Sequence, residues 1–190
     1  MKKIFLGLTL LSFFLSGLLV ASSGISFEAG GFYGQRQVAD ADIKKIYGNG
    51  MVYSPCASII WNGVMLGGGY EGGYSKSGKI GIYEEATSLE IKGYELFLGY
   101  RLKMKFFAPY IKVGYGSFSY KQTNESKYVG EYKVDHKMTA VTLGGGLKIY
   151  PIKYLYIAGE VKYVPLKVKP FEDEVDLSGL RLLAGLGISI

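Results

Sequence analysis

The stretch Ala108 to Tyr120 constrains the fold most. It reads Ala-Pro-Tyr-Ile-Lys-Val-Gly-Tyr-Gly-Ser-Phe-Ser-Tyr. Ile111, Val113 and Tyr115 alternate with Lys112, Gly114 and Gly116, and a period of two marks a strand. A face that carries Lys and Gly does not belong against a dry core. A strand apolar on one side, and small or charged on the other, suits a barrel with lipid outside and a polar lumen.

The same pattern recurs along the chain. A first strand runs from about Ser26 to Gln37, and a second from Gly50 to Trp61. Pro55 cannot donate a ladder hydrogen bond, so a bulge is expected there. Asn62-Gly63 then predicts a type I′ hairpin turn. A third strand follows from Val64 to Ser75, with Leu66, Tyr70 and Tyr74 on one face and Met65 and Glu71 on the other. A fourth runs from Ser88 to Met104. Its phase turns Glu90 and Lys92 outward with Leu96 and Leu98, so either the strand rises above the lipid there or Gly93 marks a bulge. The fifth is the stretch from Ala108 to Tyr120. The sixth runs from Lys137 to Tyr150, the seventh from Tyr154 to Val164 and the eighth from Asp176 to Ile190.

Polar segments separate these strands. Ala39 to Tyr47 reads as a loop in which Asp40 and Asp42 are candidate helix caps. Two carboxylates there are too few for a calcium site. Lys76 to Thr87, Gln122 to Asp135 and Pro165 to Val175, with Glu172, Asp173 and Glu174, read as long polar loops. The alternate connections are short. Short turns on one side and long loops on the other predict an all-β, eight-stranded, antiparallel, up-and-down transmembrane β-barrel with its short turns in the periplasm. A soluble lipocalin-like barrel would have the reverse phase, apolar inside and polar outside.

Composition agrees with this reading. The chain has 190 residues, with 28 Gly and 17 Tyr against 5 Pro, a mixture that favours short strands and tight turns. This length suits one domain. Met1 to Ser23 has the order of an export signal: Lys2 and Lys3, an apolar run from Ile4 to Val20, then Ala21, Ser22 and Ser23. The expected division is residues 1–23 as signal peptide and 24–190 as outer-membrane barrel. The net charge of +6 is scattered, and no aromatic-basic stripe offers a base-stacking platform, so no nucleic-acid partner is expected. Cys56 is the single cysteine, which rules out an intramolecular disulfide and a Cys-rich metal site.

Four segments resemble the outer membrane protein A–like family of small β-barrels from Gram-negative bacteria. They are Phe27-Glu28-Ala29-Gly30-Gly31-Phe32-Tyr33, Ala108 to Gly116, Leu143-Gly144-Gly145-Gly146-Leu147, and Leu182-Leu183-Ala184-Gly185-Leu186-Gly187-Ile188. The resemblance covers the mature chain. It implies residence in the bacterial outer membrane among lipopolysaccharide, and folding by the barrel-assembly machinery. The chain departs from the family in ending on Ile190, where members usually carry an aromatic residue that this machinery reads.

Nine charged residues fall on the inward phase: Glu28, Glu71, Glu95, Arg101, Lys112, Lys148, Glu160, Lys162 and Arg181. On the lipid face an Arg or Lys at mid-depth costs about 2–4 kcal/mol, so their phase defines the inside. An eight-stranded barrel is just wide enough for side chains to fill. The expectation is a structural network of paired charges that plugs the lumen, with Arg181 balanced by Glu28 and Glu160. Metal, cofactor and catalytic residues are not expected. The one histidine, His136, is expected in a solvated loop beside Asp135, and neighbours in a strand point to opposite faces. Lipid A deacylase barrels use a His, Ser and Glu set, but the position two residues after His136 is Met138. Palmitoyl-transferase barrels use His, Asp and Ser, for which Ser119 or Ser126 could be enlisted. The expected function is that of a monomeric structural or surface protein whose exposed loops serve envelope integrity or surface contact. The competing reading is a lipid A-modifying enzyme or a narrow pore.

The export reading has a direct test. N-terminal sequencing of the membrane-bound protein is expected to begin near Gly24. An intact Met1 would indicate an anchored form instead.

Overall fold

The computed structural model describes residues 24–104, 106–126, 128, 130–169 and 175–190. The segment assigned to export, residues 1–23, lies outside them, as do Glu172, Asp173 and Glu174. Eight strands form a closed antiparallel ring. They are β1 (Ile25–Arg36), β2 (Gly50–Trp61), β3 (Val64–Ile80), β4 (Glu85–Arg101), β5 (Phe107–Ser126), β6 (Gly130–Ile152), β7 (Leu155–Val164) and β10 (Gly179–Ser189). Between β7 and β10 lies a small ladder of β8 (Lys167–Val168) and β9 (Val175–Asp176). A short helix, α1 (Ala41–Tyr47), links β1 to β2.

Closure joins the first and last barrel strands. Glu28 lies opposite Ser189 and Arg36 opposite Arg181. Phe27 and Ile190 exchange backbone hydrogen bonds of 2.7 and 2.8 Å. Asn62 and Gly63 both take positive φ, 49° and 85°, as a type I′ turn requires. In α1, Asp40 caps the helix: its Oδ1 accepts from the backbone N–H of Asp42 and Ile43, each at 2.9 Å.

Burial alternates along the strands. Leu96, Leu98, Val113, Val141, Leu143, Ile157 and Leu186 are exposed on the outside, where lipid is their solvent. Exposed aromatic residues rim this apolar band. Tyr33, Tyr53, Tyr94, Tyr115 and Tyr163 mark the boundary on the long-strand side, expected to be the outer one, and Phe27, Trp61, Phe107 and Tyr154 the boundary on the short-turn side, expected to be periplasmic. Two such girdles are characteristic of outer-membrane barrels. Tyr70 completes the outer rim, its ring 5.8 Å from Tyr53 and 5.1 Å from Tyr94.

Several expectations are corrected. No bulge occurs at Pro55, since β1 and β2 stay in one register from Ile25 to Arg36. The β2–β3 ladder merely lacks paired positions between Tyr53 and Cys56. Gly93 is not a bulge either, because β4 and β5 pair without a shift from Ala86 to Arg101. The bulge lies on β3, between Glu71 and Tyr74, where Gly73 adopts φ 91°. It reverses the phase of β3, so Tyr74 is buried inside rather than turned to lipid. Lys76 to Thr87 and Gln122 to Asp135 are mostly strand. β3 and β4 continue to a turn at 81–84, and β5 and β6 to Ser126 and Gly130 on either side of a turn at Tyr128. Their outward residues are polar because they stand above the lipid. Their inward residues Leu89, Ile91, Phe118 and Tyr120 remain buried.

The outer side is therefore asymmetric. β3 to β6 rise as a four-stranded wall, while β1, β2, β7 and β10 stop near Arg36, Gly50, Val164 and Gly179. α1 leans on the wall so closely that a Cβ on Gly78 would fall 2.5 Å from the Ile46 carbonyl oxygen. Tyr47, Leu89, Tyr120, Leu166, Val168 and Leu177 pack into an apolar plug across the mouth.

The lipid boundary predicts a depth profile on β6. Leu143 is 63% exposed at the middle of the band, and Thr139 lies on the same face four residues closer to the outer end. Leu143→Arg is expected to cost about 2–4 kcal/mol, and Thr139→Arg about 0–1 kcal/mol, because the penalty falls towards the interface. Urea titration of lipid-folded protein measures both. Equal losses would put the boundary elsewhere.

Candidate functional site: the charged lumen

All nine charged residues predicted to point inward are buried within the barrel. They form tiers. Nearest the periplasmic end, Glu28 binds both Arg101 and Lys148, and the Tyr150 hydroxyl donates to the same carboxylate at 2.8 Å. In the next tier Lys112 bridges Glu160 at 2.8 Å, and Tyr110 donates to Glu160 at 2.7 Å. Above it, Lys162 lies between Glu71 at 3.0 Å and Glu95 at 3.4 Å. Arg181 donates from Nε and Nη2 to Glu71, each at 3.2 Å.

The aromatic residues of the lumen serve the same cations. Lys112 stands 4.7 Å above the Phe97 ring and Lys148 4.7 Å above the Tyr156 ring. An ammonium over an aromatic face gains about 0.5–2 kcal/mol, the more so when desolvated. Glycines make room for these rings: a Cβ on Gly30 or Gly187 would fall within 2.4 Å of the Tyr156 hydroxyl.

Arg181 does not meet the partners expected of it. Glu28 lies opposite Ser189, eight residues along β10 from Arg181. That separation is about 26 Å at ~3.3 Å per residue, although the two strands are neighbours. Glu160 is engaged by Lys112 and Tyr110. The partner of Arg181 is Glu71, across the lumen on β3.

Arg36 is a member of the lumen that the sequence reading missed. It is fully buried, donates to the Leu177 carbonyl at 2.9 Å and packs 4.7 Å over the Tyr74 ring. Its Nε and Nη1 have no hydrogen-bond partner. It shares the parity of Glu28 on β1, so the period of two already pointed to it. Counting Arg36, six buried cations face four buried carboxylates among the described residues. Two voids of about 10 Å³ each lie between the tiers, little more than one water's worth of space.

Above the charged tiers the polar groups belong to the wall. The Tyr47 hydroxyl lies 2.8 Å from the Thr87 hydroxyl, which donates to Asn124 at 2.5 Å. Burial of Tyr47 raises its pKa despite the Thr87 contact. At Asp176, partial burial pushes the carboxyl pKa up, but the side chain and backbone N–H of Ser178 pull it below the ordinary value.

His136 is not in a loop. It lies on β6 opposite Tyr120, half-buried on the inward face. Asp135 points outward, 3.4 Å from the Ser119 hydroxyl and 3.5 Å from Lys121. Histidine and carboxylate are thus on opposite sides of the sheet, and no relay from Asp135 through His136 to Ser119 can form. Ser126 is engaged by Glu85 at 2.7 Å. Among the described residues no cluster of three or more His, Cys, Asp or Glu is arranged to hold a metal ion.

A double-mutant cycle tests the tiers. Removing one partner of a buried ion pair costs about 3–5 kcal/mol, so Glu71→Gln and Arg181→Met are each expected to destabilise strongly. Combined, they are expected to cost less than their sum by at least ~1 kcal/mol, whereas Glu28→Gln with Arg181→Met should add within ~0.5 kcal/mol. Coupling of Arg181 to Glu28 rather than Glu71 would overturn the assignment.

Comparison with known proteins places this geometry. The barrel superimposes on Ail, the attachment invasion locus protein of Yersinia pestis, with a TM-score of 0.58, 16% identity, and coverage of 89% of this chain and 100% of Ail. OprG from Pseudomonas aeruginosa gives a TM-score of 0.61 at 11% identity, covering 88% of this chain and 96% of OprG. Neisserial surface protein A gives 0.59 at 10% identity, covering 87% and 97%. At these identities the likeness is one of fold. A search of curated proteins finds no match. The family model described as "Outer membrane protein beta-barrel domain" matches residues 8–187. The chain therefore belongs to the outer membrane protein β-barrel family and resides in the bacterial outer membrane.

Proposed function

We propose that this protein is a non-enzymatic, surface-presenting barrel, monomeric within its membrane, whose filled lumen holds a sheet upright outside the cell. The observation that carries the proposal is the four-stranded wall of β3 to β6, which rises past the outer tyrosine rim above a lumen closed by ion pairs and an apolar plug. A filled lumen supplies rigidity and offers no path of ionic size. The separation of Asp135 from His136 across the sheet argues against a catalytic relay. The likeness to a protein called an attachment invasion locus protein fits a surface role.

The wall also suggests how the barrel meets lipopolysaccharide. One row above Tyr94, on the outward face, Lys92, Ser119 and Lys137 lie side by side on β4, β5 and β6. Lys92 leans on Glu90 at 3.1 Å in solvent, a contact too weak to hold it from a phosphate. Headgroup phosphates lie at this height, just beyond the aromatic girdle. Insertion by the barrel-assembly machinery is part of the same proposal, and membership of the barrel family supports it.

Protease treatment of intact cells is expected to cut the turns at 81–84 and at Tyr128, leaving a membrane-embedded remnant that migrates differently before and after heating. Protection of both turns would put the wall in the periplasm. Planar-bilayer recordings are expected to show no steady conductance, and the lipid A mass profile is expected to be the same with wild type and His136→Ala. A steady open channel, or a lipid A change that depends on His136, would overturn the proposal.

A further inference from the structure

Among the described residues no strand ladders with the upper edge of β6. β6 pairs with β5 up to Gly130, but with β7 only up to Leu143. At the lower end the Tyr150 N–H donates across the β5 side, to Phe106. Antiparallel ladders alternate, so the odd-numbered residues of β6 aim their N–H and C=O groups at the other edge. Above Leu143 that edge is free of ladder bonds among the described residues. An unpaired edge is a template for another strand.

The side chains along this edge alternate in sign: Glu131, Lys133, Asp135 and Lys137, all exposed on the outer face. Within one copy Lys133 touches Glu131 at 2.7 Å and Asp135 reaches Lys121 at 3.5 Å, both in solvent. Exposed pairs of this kind contribute little and exchange readily.

We propose that this edge pairs with the same edge of a second copy seated in a facing outer membrane. Two copies in one membrane run their β6 strands in the same direction. Side by side they would pair in parallel, and a parallel ladder sets a residue whose backbone groups point across opposite one whose groups point away, so the two odd-numbered rows cannot oppose each other there. Copies in opposed membranes run antiparallel. An antiparallel pair centred on Val134 sets Lys133 opposite Asp135 and Glu131 opposite Lys137, each twice by symmetry. Both are odd–odd pairs, the class whose backbone groups point across the free edge. Opposite charges directly across a ladder stabilise it, and like charges destabilise it. Centring on Lys133 would set lysine on lysine, and centring on Asp135 would set aspartate on aspartate. The geometry thus selects the antiparallel orientation, and the register centred on Val134 forms four opposite-charge pairs where centring on Tyr132 or His136 forms two, a self-complementary interface of the isologous kind. Seven residues from 131 to 137 give an overlap of about 23 Å at ~3.3 Å per residue.

This inference rests on the reading that the wall faces away from the cell. Its test is the tethering of dimyristoylphosphatidylcholine vesicles that carry the folded protein, followed by light scattering. Vesicle populations are matched for outward-facing protein by protease accessibility and for folding by heat-modifiable migration. Wild-type vesicles are expected to tether, less so at high salt. Lys133→Glu vesicles alone and Asp135→Lys vesicles alone are each expected to lose about tenfold in tethering. A mixture of the two populations is expected to recover, because the glutamate introduced in one faces the lysine introduced in the other. The double variant should tether to itself but not to wild type. Absence of tethering by wild type, or a mixture as weak as its components, would overturn the proposal. The vesicle result does not depend on orientation in cells. Protection of the wall from protease on intact cells would sink the surface reading while leaving tethering intact.

Discussion

Lipid offers no hydrogen-bond partner, so every backbone N–H and C=O at membrane depth must be satisfied within the protein. The fold follows from this constraint. A chain built of short alternating strands meets it only by closing into a ring, with β10 against β1. Closure by eight strands leaves an interior of side-chain width, and the interior is then bound to be filled. The inward phase carries charges, which must be paired once they are out of water. Above the lipid the constraint lapses. There β7 and β10 stop while β3 to β6 continue, and an unpaired edge becomes tolerable because water can solvate it.

The period of two made most of this legible. The eight strands and the inward side of nine charged residues follow from parity alone. Arg36 has the same parity but is masked in sequence because it ends its strand beside a polar loop. In sequence the wall reads as loop because its outward residues, such as Glu90, Lys121 and Asp135, are polar. Its inward residues, Leu89, Ile91, Phe118 and Tyr120, kept the strand period throughout. Composition on one face outweighed alternation on the other. The β3 bulge was illegible for a different reason. In Gly67-Gly68-Gly69-Tyr70-Glu71-Gly72-Gly73 there are too few side chains to betray a phase change, and the reversal shows only at Tyr74.

Pairing partners lie beyond what parity can give. Parity says that Arg181 and Glu28 both face inward, and strand order says that β10 and β1 touch. Neither gives the axial height, which depends on the stagger of the strands around the ring. The stagger lifts Arg181 to the tier of Glu71 and leaves Glu28 to Arg101 and Lys148. His136 is a related case. A polar residue beside Asp135 read as solvated loop, yet the ladder with Tyr120 holds it on the inner face of the sheet.

The tiers bear on how the barrel assembles. Glu28 and Lys148 are 120 positions apart, and Glu71 and Arg181 are 110 apart. Such contacts are of high order and form late, after the entropy of closing long chain segments has been met. Neither the Glu28 tier nor the Glu71 tier can be complete while a seam of the ring is open, because each draws residues from strands on different sides. Until then the lumen carboxylates and ammonium groups have only water to solvate them. An unfinished barrel is therefore a wet barrel, and zipping the last seam coincides with drying its interior. Dehydration of the lumen thus acts as a late checkpoint, one that a chain slipped by a single residue cannot pass.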